Sequence, residues 1–154
     1  ALEYFQSTGQ KFSDHNKEER QKGSPYNFLY LVLTMNRKVL YERIDKRVDQ
    51  MMEEGLVKEV KQLLDAGYSR NLVSMQGLGY KEIASALFKE CTMEEAVYRL
   101  KRDTRHFAKR QMTWFRRERD VTMINKDNFS NNHDIVNYIM KLAVEKGICS
   151  CREG

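Results

Sequence analysis

Long apolar runs are missing from this chain. Nowhere in its 154 residues do apolar side chains continue for the roughly 20 positions that crossing a bilayer requires. The opening Ala1-Leu-Glu-Tyr-Phe5 lacks the basic start and long apolar stretch of a signal peptide, so a cytoplasmic protein without a membrane partner is expected. Cysteine is scarce and odd in number. Cys91, Cys149 and Cys151 cannot make a disulfide framework, and Cys149-Ser-Cys151 has no second Cys/His cluster, which leaves free thiols and no metal site as the expectation. Proline occurs once, at Pro25, and neither internal repeats nor low-complexity segments are present. Acidic residues all but vanish from one stretch. Between Tyr98 and Arg119 only Asp103 and Glu118 oppose Arg99, Lys101, Arg102, Arg105, Lys109, Arg110, Arg116, Arg117 and Arg119.

What is present reads as a globular protein. Apolar residues make up 41% and charged ones 32%, and the length suits one domain, or one domain with an appendage. The net charge of +5 is weak information by itself; its concentration in one segment is stronger. On a helix of about 3.6 residues per turn, Val97, Leu100, Thr104, Phe107, Gln111 and Trp114 share one stripe, and Arg102, Arg105, Lys109 and Arg116 another. One face is expected to pack and the other to meet phosphate, with nucleic acid the first partner to test.

Taken in order, Ala1 to Thr8 reads as the end of a helix closed by Gly9, and Gln10 to Ser24 as a mobile loop. Asn27 to Leu33 has the continuous apolar character of a strand buried on both faces, as in a parallel sheet covered by helices. Thr34 or Asn36 caps the next helix, whose inner stripe is Leu40, Ile44, Val48, Met51 and Met52 up to Gly55. Arg37 lies in its first turn, where the helix dipole favours anions over cations; an anionic ligand would account for it, and so would a solvated or carboxylate-paired arginine. Leu56 to Ala66 is a second helix closed by Gly67. Gly77 and Gly79 open a third, where the backbone can approach a ligand closely, although the pattern matches no nucleotide-binding fingerprint. Thr92 and Glu95 form a capping box that starts the basic helix. Val121 to Asn125 reads as a second strand, and Ile135 to Lys146 as a last helix with Ile135, Ile139, Leu142 and Ala143 inward. Two short strands cannot make a covered parallel sheet alone, so the chain is expected to be a fragment whose remaining strands lie elsewhere in a longer polypeptide. Exposed strand edges then invite a non-native dimer.

Three segments together resemble a known family. Met75-Gln-Gly-Leu-Gly-Tyr-Lys-Glu-Ile83, Lys101-Arg-x-Thr-Arg-x-Phe-Ala-Lys-Arg-Gln-x-Thr-Trp-Phe-Arg116 and Arg37-x-x-Leu-x-x-Arg-Ile-x-x-Arg-Val-x-x-Met51 are similar to the tRNA dimethylallyltransferases, or isopentenyl-diphosphate:tRNA transferases. The resemblance runs from Ala1 to about Leu142. It implies a mostly helical α/β fragment: the C-terminal part of a P-loop-type parallel-sheet core, with the tail of its inserted helical domain in residues 1–24 and the core and tRNA-contacting helices in 25–146; the tail in 147–154, beyond the resemblance, has little in its sequence to order it and is expected to be disordered. It further implies Mg²⁺-dependent transfer of a dimethylallyl group from dimethylallyl diphosphate to N6 of the adenosine 3′ of the anticodon. The partner would be a tRNA anticodon stem-loop with its target base flipped out.

Carried over by position, Gln76, Gly77, Leu78, Gly79, Tyr80 and Lys81, with Lys109, Arg110, Gln111, Met112, Thr113, Trp114, Phe115 and Arg116, match the family's tRNA-contacting segments. Lys109, Arg110 and Arg116 are assigned to phosphates, Gln76, Gln111 and Thr113 to polar contacts, and Tyr80 or Trp114 to stacking. Core packing of Trp114 against Phe107 and Leu100 is the alternative for that residue. Arg43 and Arg47, with Arg37, are the diphosphate-side candidates. The family's P-loop, its proton-accepting aspartate and the ligands of its Mg²⁺ have no counterpart here, so no catalytic or metal-binding residue is expected in this chain. The competing readings are a stand-alone basic RNA-binding module without catalysis and a helical protein-interaction domain whose basic face is only solvated.

Overall fold

The structure is a computed structural model that describes residues 2–21 and 24–149, the side chains of residues 20 and 21 excepted. It divides into two compact units, residues 1–29 with 136–154, and residues 30–135.

In the first unit, helix α1 (Leu2–Thr8) ends at Gly9, whose positive φ of 70° lets its N–H reach the Phe5 carbonyl at 2.8 Å. The segment read as a mobile loop is instead largely helix α2 (Phe12–Gln21). Its composition is polar, but it contains neither glycine nor proline, and Phe12 and His15, one turn apart, both lie against the Tyr4 ring at 5.6 and 5.0 Å. Asn27, assigned to the first strand from sequence, donates from its side chain to the Lys146 carbonyl at 2.9 Å. Ser150 onward, including Cys151 and most of the tail assigned to 147–154, lies outside the described residues.

The second unit holds the sheet and the main core. Strands β1 (Tyr30–Thr34) and β2 (Val121–Asn125) pair in parallel, from Tyr30 opposite Val121 to Thr34 opposite Asn125. The strand read as buried on both faces is not: Val32 is buried, whereas its neighbour Leu33 is 52% exposed. Among the described residues the sheet has only these two strands, too few to cover both faces.

Four helices make the core. Asn36 caps α3 (Arg37–Glu53), its side chain accepting from the Lys38 N–H at 2.9 Å, and α3 leads through Gly55 into α4 (Leu56–Asp65). A 3₁₀ turn (Val73–Gln76) precedes α5 (Tyr80–Leu87), and Thr92 opens the 23-residue α6 (Met93–Phe115) by accepting from the Glu95 N–H at 3.1 Å. Val48, Leu56, Val60, Met75, Ile83, Ala84, Ala96 and Leu100 form one buried cluster drawn from these elements. The cluster fixes the N-terminal half of α6. A second 3₁₀ turn (Lys126–Asn128) follows β2, and α7 (Asn132–Glu145) starts three residues before the expected position, where the Asn131 side chain accepts from the Asp134 N–H at 3.0 Å.

Candidate nucleic-acid interface

The cations of α6 fall into two groups. In the first half each is answered by a carboxylate: Arg99 by Glu95 at 2.5 Å, Lys101 by Asp49 at 2.6 Å, Arg102 by Asp103 at 2.7 Å and Arg105 by Asp45 at 2.5 Å. Asp45 and Asp49 are one turn apart on α3 and face Lys101 and Arg105, one turn apart on α6. Arg105, placed on the phosphate-facing stripe from sequence, thus belongs to the packing between α3 and α6. In the second half the pattern stops. Among the described residues Lys109, Arg110 and Arg116 have no carboxylate within ion-pair distance, and Arg110 instead lies over the Phe107 ring at 6.0 Å.

The apolar stripe also changes face. Leu100 is buried and Thr104 partly so, but Phe107 is 44% exposed, Gln111 is exposed and Trp114 is 54% exposed. Ala108, Met112 and Phe115 take the inward side there. Phe115 contacts Tyr30 of β1 edge-on at 6.5 Å, so α6 turns from packing on helices to packing beside the sheet. Trp114 is therefore not a core residue against Phe107 and Leu100; it sits edge-on to Phe115 at 5.1 Å with most of its surface open. The helix stops at Phe115, so Arg116 is its C-cap and Arg117 to Arg119 lie beyond it.

A cavity of about 540 Å³ opens where both strands end. Thr34 and Met35 come from the end of β1, Asn125 from the end of β2, Arg37 and Tyr41 from the start of α3, and Lys109, Met112, Thr113 and Arg116 from the end of α6. In open parallel sheets ligands bind in the crevice outside the carboxyl ends of the strands, and this cavity occupies that place. Arg37 is held by a hydrogen bond from Nε to the Tyr41 hydroxyl at 2.9 Å, with its guanidinium 5.0 Å from the Tyr41 ring centre. It too has no carboxylate within ion-pair distance among the described residues. The negative group absent from the first turn of α3 comes from elsewhere: Asp127 accepts from the Asn36 N–H at 2.6 Å. Three cations thus converge on one space.

Gln76 to Lys81 lie elsewhere. Gly79 takes φ 101°, and its N–H donates to the buried Glu82 carboxylate at 2.8 Å, so the start of α5 is occupied from within rather than open to a ligand anion. The Gln76 side chain donates to the Arg70 carbonyl at 2.6 Å, Leu78 packs on the core, and the Tyr80 hydroxyl donates to Glu59, which raises its pKa. Gln76 and Lys81 line a separate cleft of about 450 Å³ with Arg99 and Arg102. The diphosphate candidates divide as well. Arg37 is in the strand-end cavity, while Arg43 and Arg47 edge a groove floored by Ile44, Val48 and Leu100, with Arg47 3.4 Å from Glu54.

Residues 1–118 match the sequence model of the IPP transferase family. The chain belongs to that family. Curated relatives of the IPP transferase family include the tRNA dimethylallyltransferase of Lachnoclostridium phytofermentans, 55% identical over 148 residues, and that of Acetivibrio thermocellus, 50% identical over 136. These alignments take in 96% and 88% of this chain but 47% and 44% of the relatives, so the chain spans a little under half their length. Among solved structures, the full-length tRNA isopentenylpyrophosphate transferase of Bacillus halodurans superposes with a TM-score of 0.73 at 43% identity, covering 87% of this chain and 45% of that one. The tRNA delta(2)-isopentenylpyrophosphate transferase of Staphylococcus epidermidis gives 0.70 at 37%, covering 92% and 46%. The expected fold class holds: a mostly helical chain with a small parallel sheet, like these transferases.

Within this IPP transferase family chain, several functional partners were not singled out from the sequence. Asp45 and Asp49 announce themselves only through a spacing that matches Lys101 and Arg105, and Tyr41 through its position four residues after Arg37. Asp127 and the Arg70–Glu90 pair, with bonds of 2.5 and 3.0 Å, leave no local signal. Cys91 and Cys149 are free thiols, and no helix among the described residues is long and apolar enough to cross a membrane.

Proposed function

We propose that this chain supplies the RNA-facing part of a cytoplasmic tRNA dimethylallyltransferase, together with part of its diphosphate side. The observation that carries this reading is the strand-end cavity, where Arg37, Lys109 and Arg116 converge with no carboxylate partner among the described residues while every cation in the first half of α6 has one. In the transfer, the bond from the dimethylallyl carbon to the diphosphate oxygen breaks, the bond from that carbon to adenosine N6 forms, and N6 gives up a proton, which the family's proton-accepting aspartate, without counterpart in this chain, would take. Negative charge gathers on the departing diphosphate, and fixed cations stabilise it. Arg37, held against Tyr41, suits the leaving-group side; Lys109 and Arg116 suit RNA phosphates; the exposed Trp114 offers a face to an unstacked base. Mg²⁺ would add charge neutralisation to the same departure.

Binding of the chain to an anticodon stem-loop RNA, titrated with salt, tests the reading. Affinity should fall with salt at a slope of about −0.7 per phosphate contacted in a single-stranded loop. Absence of salt-dependent binding at low ionic strength overturns it.

A further inference from the structure

Besides its cations, the strand-end cavity holds one unused neutral donor. Three side-chain hydroxyls line it among the described residues, those of Thr34, Tyr41 and Thr113. Thr34 donates to the Ile124 carbonyl at 3.3 Å and Thr113 to the Lys109 carbonyl at 3.0 Å, so both of these protons are taken. Tyr41 differs. Its oxygen accepts from Arg37 Nε at 2.9 Å, and its own proton has no acceptor among the described residues. A hydroxyl can accept and donate at once, so only half of this one is engaged. Arg37 is half engaged as well: the bond uses Nε and leaves both Nη groups, while the Tyr41 ring, 5.0 Å from the guanidinium, keeps that group in place. The two residues stand one turn apart on α3, which fixes them side by side.

We propose that Tyr41 is a further substrate-contacting residue, its hydroxyl donating to the terminal phosphoryl group of the diphosphate that Arg37 grips through its two Nη nitrogens. The inference rests on the diphosphate side of the proposed function and deepens it. A terminal phosphoryl group has three free oxygens and can meet the guanidinium fork and the phenol proton together; a phosphodiester of RNA has two, which the fork alone occupies. The pair therefore suits the small diphosphate, and Lys109 and Arg116 on the α6 side remain for RNA. When the carbon–oxygen bond breaks, the electron pair stays with the diphosphate. Tyr41 keeps its proton and its hydrogen bond strengthens as that charge develops.

Titration calorimetry of the chain with inorganic diphosphate at low ionic strength tests this. Tyr41→Phe keeps the ring beside Arg37 and removes only the hydroxyl. It should weaken diphosphate binding about tenfold, the effect of one hydrogen bond to a charged group, and leave the melting temperature, the stem-loop RNA affinity and its salt slope unchanged. The same change made in Arg37→Ala should weaken binding again by a similar factor, because the hydroxyl touches the ligand itself. If Arg37→Ala binds no diphosphate, Arg37→Lys, which keeps the charge without the Nε bond, serves as the background. Unchanged diphosphate affinity in Tyr41→Phe, a loss that disappears in the Arg37 variant, or weakened binding of RNA in place of diphosphate each overturns the inference while the proposed function stands. If the wild-type chain binds no diphosphate, the inference falls together with the leaving-group half of that function, whose RNA half the stem-loop titration decides separately.

Discussion

Arg105 on α6 meets Asp45 on α3 at 2.5 Å, whereas Lys109, one turn further along the same helix, has no carboxylate within ion-pair distance among the described residues. Two basic residues that look alike in sequence therefore differ in role. Arg105→Ala should lower stability by roughly 0.5–1 kcal/mol and leave the salt slope of RNA binding unchanged. Lys109→Ala should leave the melting temperature alone and flatten that slope by about one contact. Thermal melts and salt titrations on both variants make the comparison, and a flattened slope in Arg105→Ala would contradict the division.

Trp114 separates binding from folding in the same way. Its main described contact is the edge of Phe115, worth about 0.5–1.5 kcal/mol, so Trp114→Ala should melt only slightly below wild type. Loss of a stacking face should cost about 1–3 kcal/mol of RNA affinity. Leu100→Ala, which removes a buried side chain, should show the larger loss of stability, about 2–5 kcal/mol. Melting and RNA affinity of the two variants, compared side by side, decide the point.

Gly79 is held by backbone geometry rather than by lack of space. A Cβ there would meet Leu56 Cδ2 at 3.7 Å and Met51 Cε at 3.9 Å, both ordinary contacts, but at φ 101° an L side chain is strained. Gly79→Ala should cost about 1–3 kcal/mol. Denaturant unfolding measures it, and a neutral result would show that the turn relaxes.

The Arg70–Glu90 pair predicts a pH dependence. Hydrogen bonds from Arg70 first and Ser85 second hold the Glu90 carboxyl at about 2, against an ordinary value of 4.5. A folded-state pKa below the unfolded one gives stability that is present above pH 4.5 and lost as pH falls toward 2. Wild type should therefore melt above Glu90→Gln at pH 6, with the gap closing through that window. Added salt should narrow the gap, since both side chains are substantially exposed. Melting curves between pH 6 and 2 check both statements.

Local chemistry was legible in the sequence where it acts over a few residues. Asn36, Thr92 and Gly9 mark helix ends because capping is a one-turn interaction, and the β-branched and aromatic run around Val32 marks a strand. Helix α2 was not legible, because its stabilising ring contacts reach back to Tyr4 from a stretch that is otherwise polar. The second half of α6 was misread for a related reason. A single stripe assumes a single neighbour, but α6 packs on α3 and α5 first and beside β1 later, which brings Met112 and Phe115 inward in place of Phe107 and Trp114. Arg99 and Arg102 are answered by carboxylates four and one positions away, but Arg105 is answered by Asp45, sixty positions away, and composition does not report that.

The β1–β2 pair joins positions ninety residues apart, as in the 3.3 Å bond from the Thr34 hydroxyl to the Ile124 carbonyl. The helical core of Val48 to Leu100 lies wholly within the loop this pair closes, and its contacts span shorter stretches of chain. Closing the longer loop costs more chain entropy and gains only a five-residue ladder, which predicts that within this unit the strands open before the helical core. Amide hydrogens of Tyr30 to Thr34 should then exchange sooner than those of α5, through openings that leave Ile83 and Leu100 dry. The cavity where Arg37, Lys109 and Arg116 meet would come and go with that ladder, its order set by the strand pairing rather than by the core beside it.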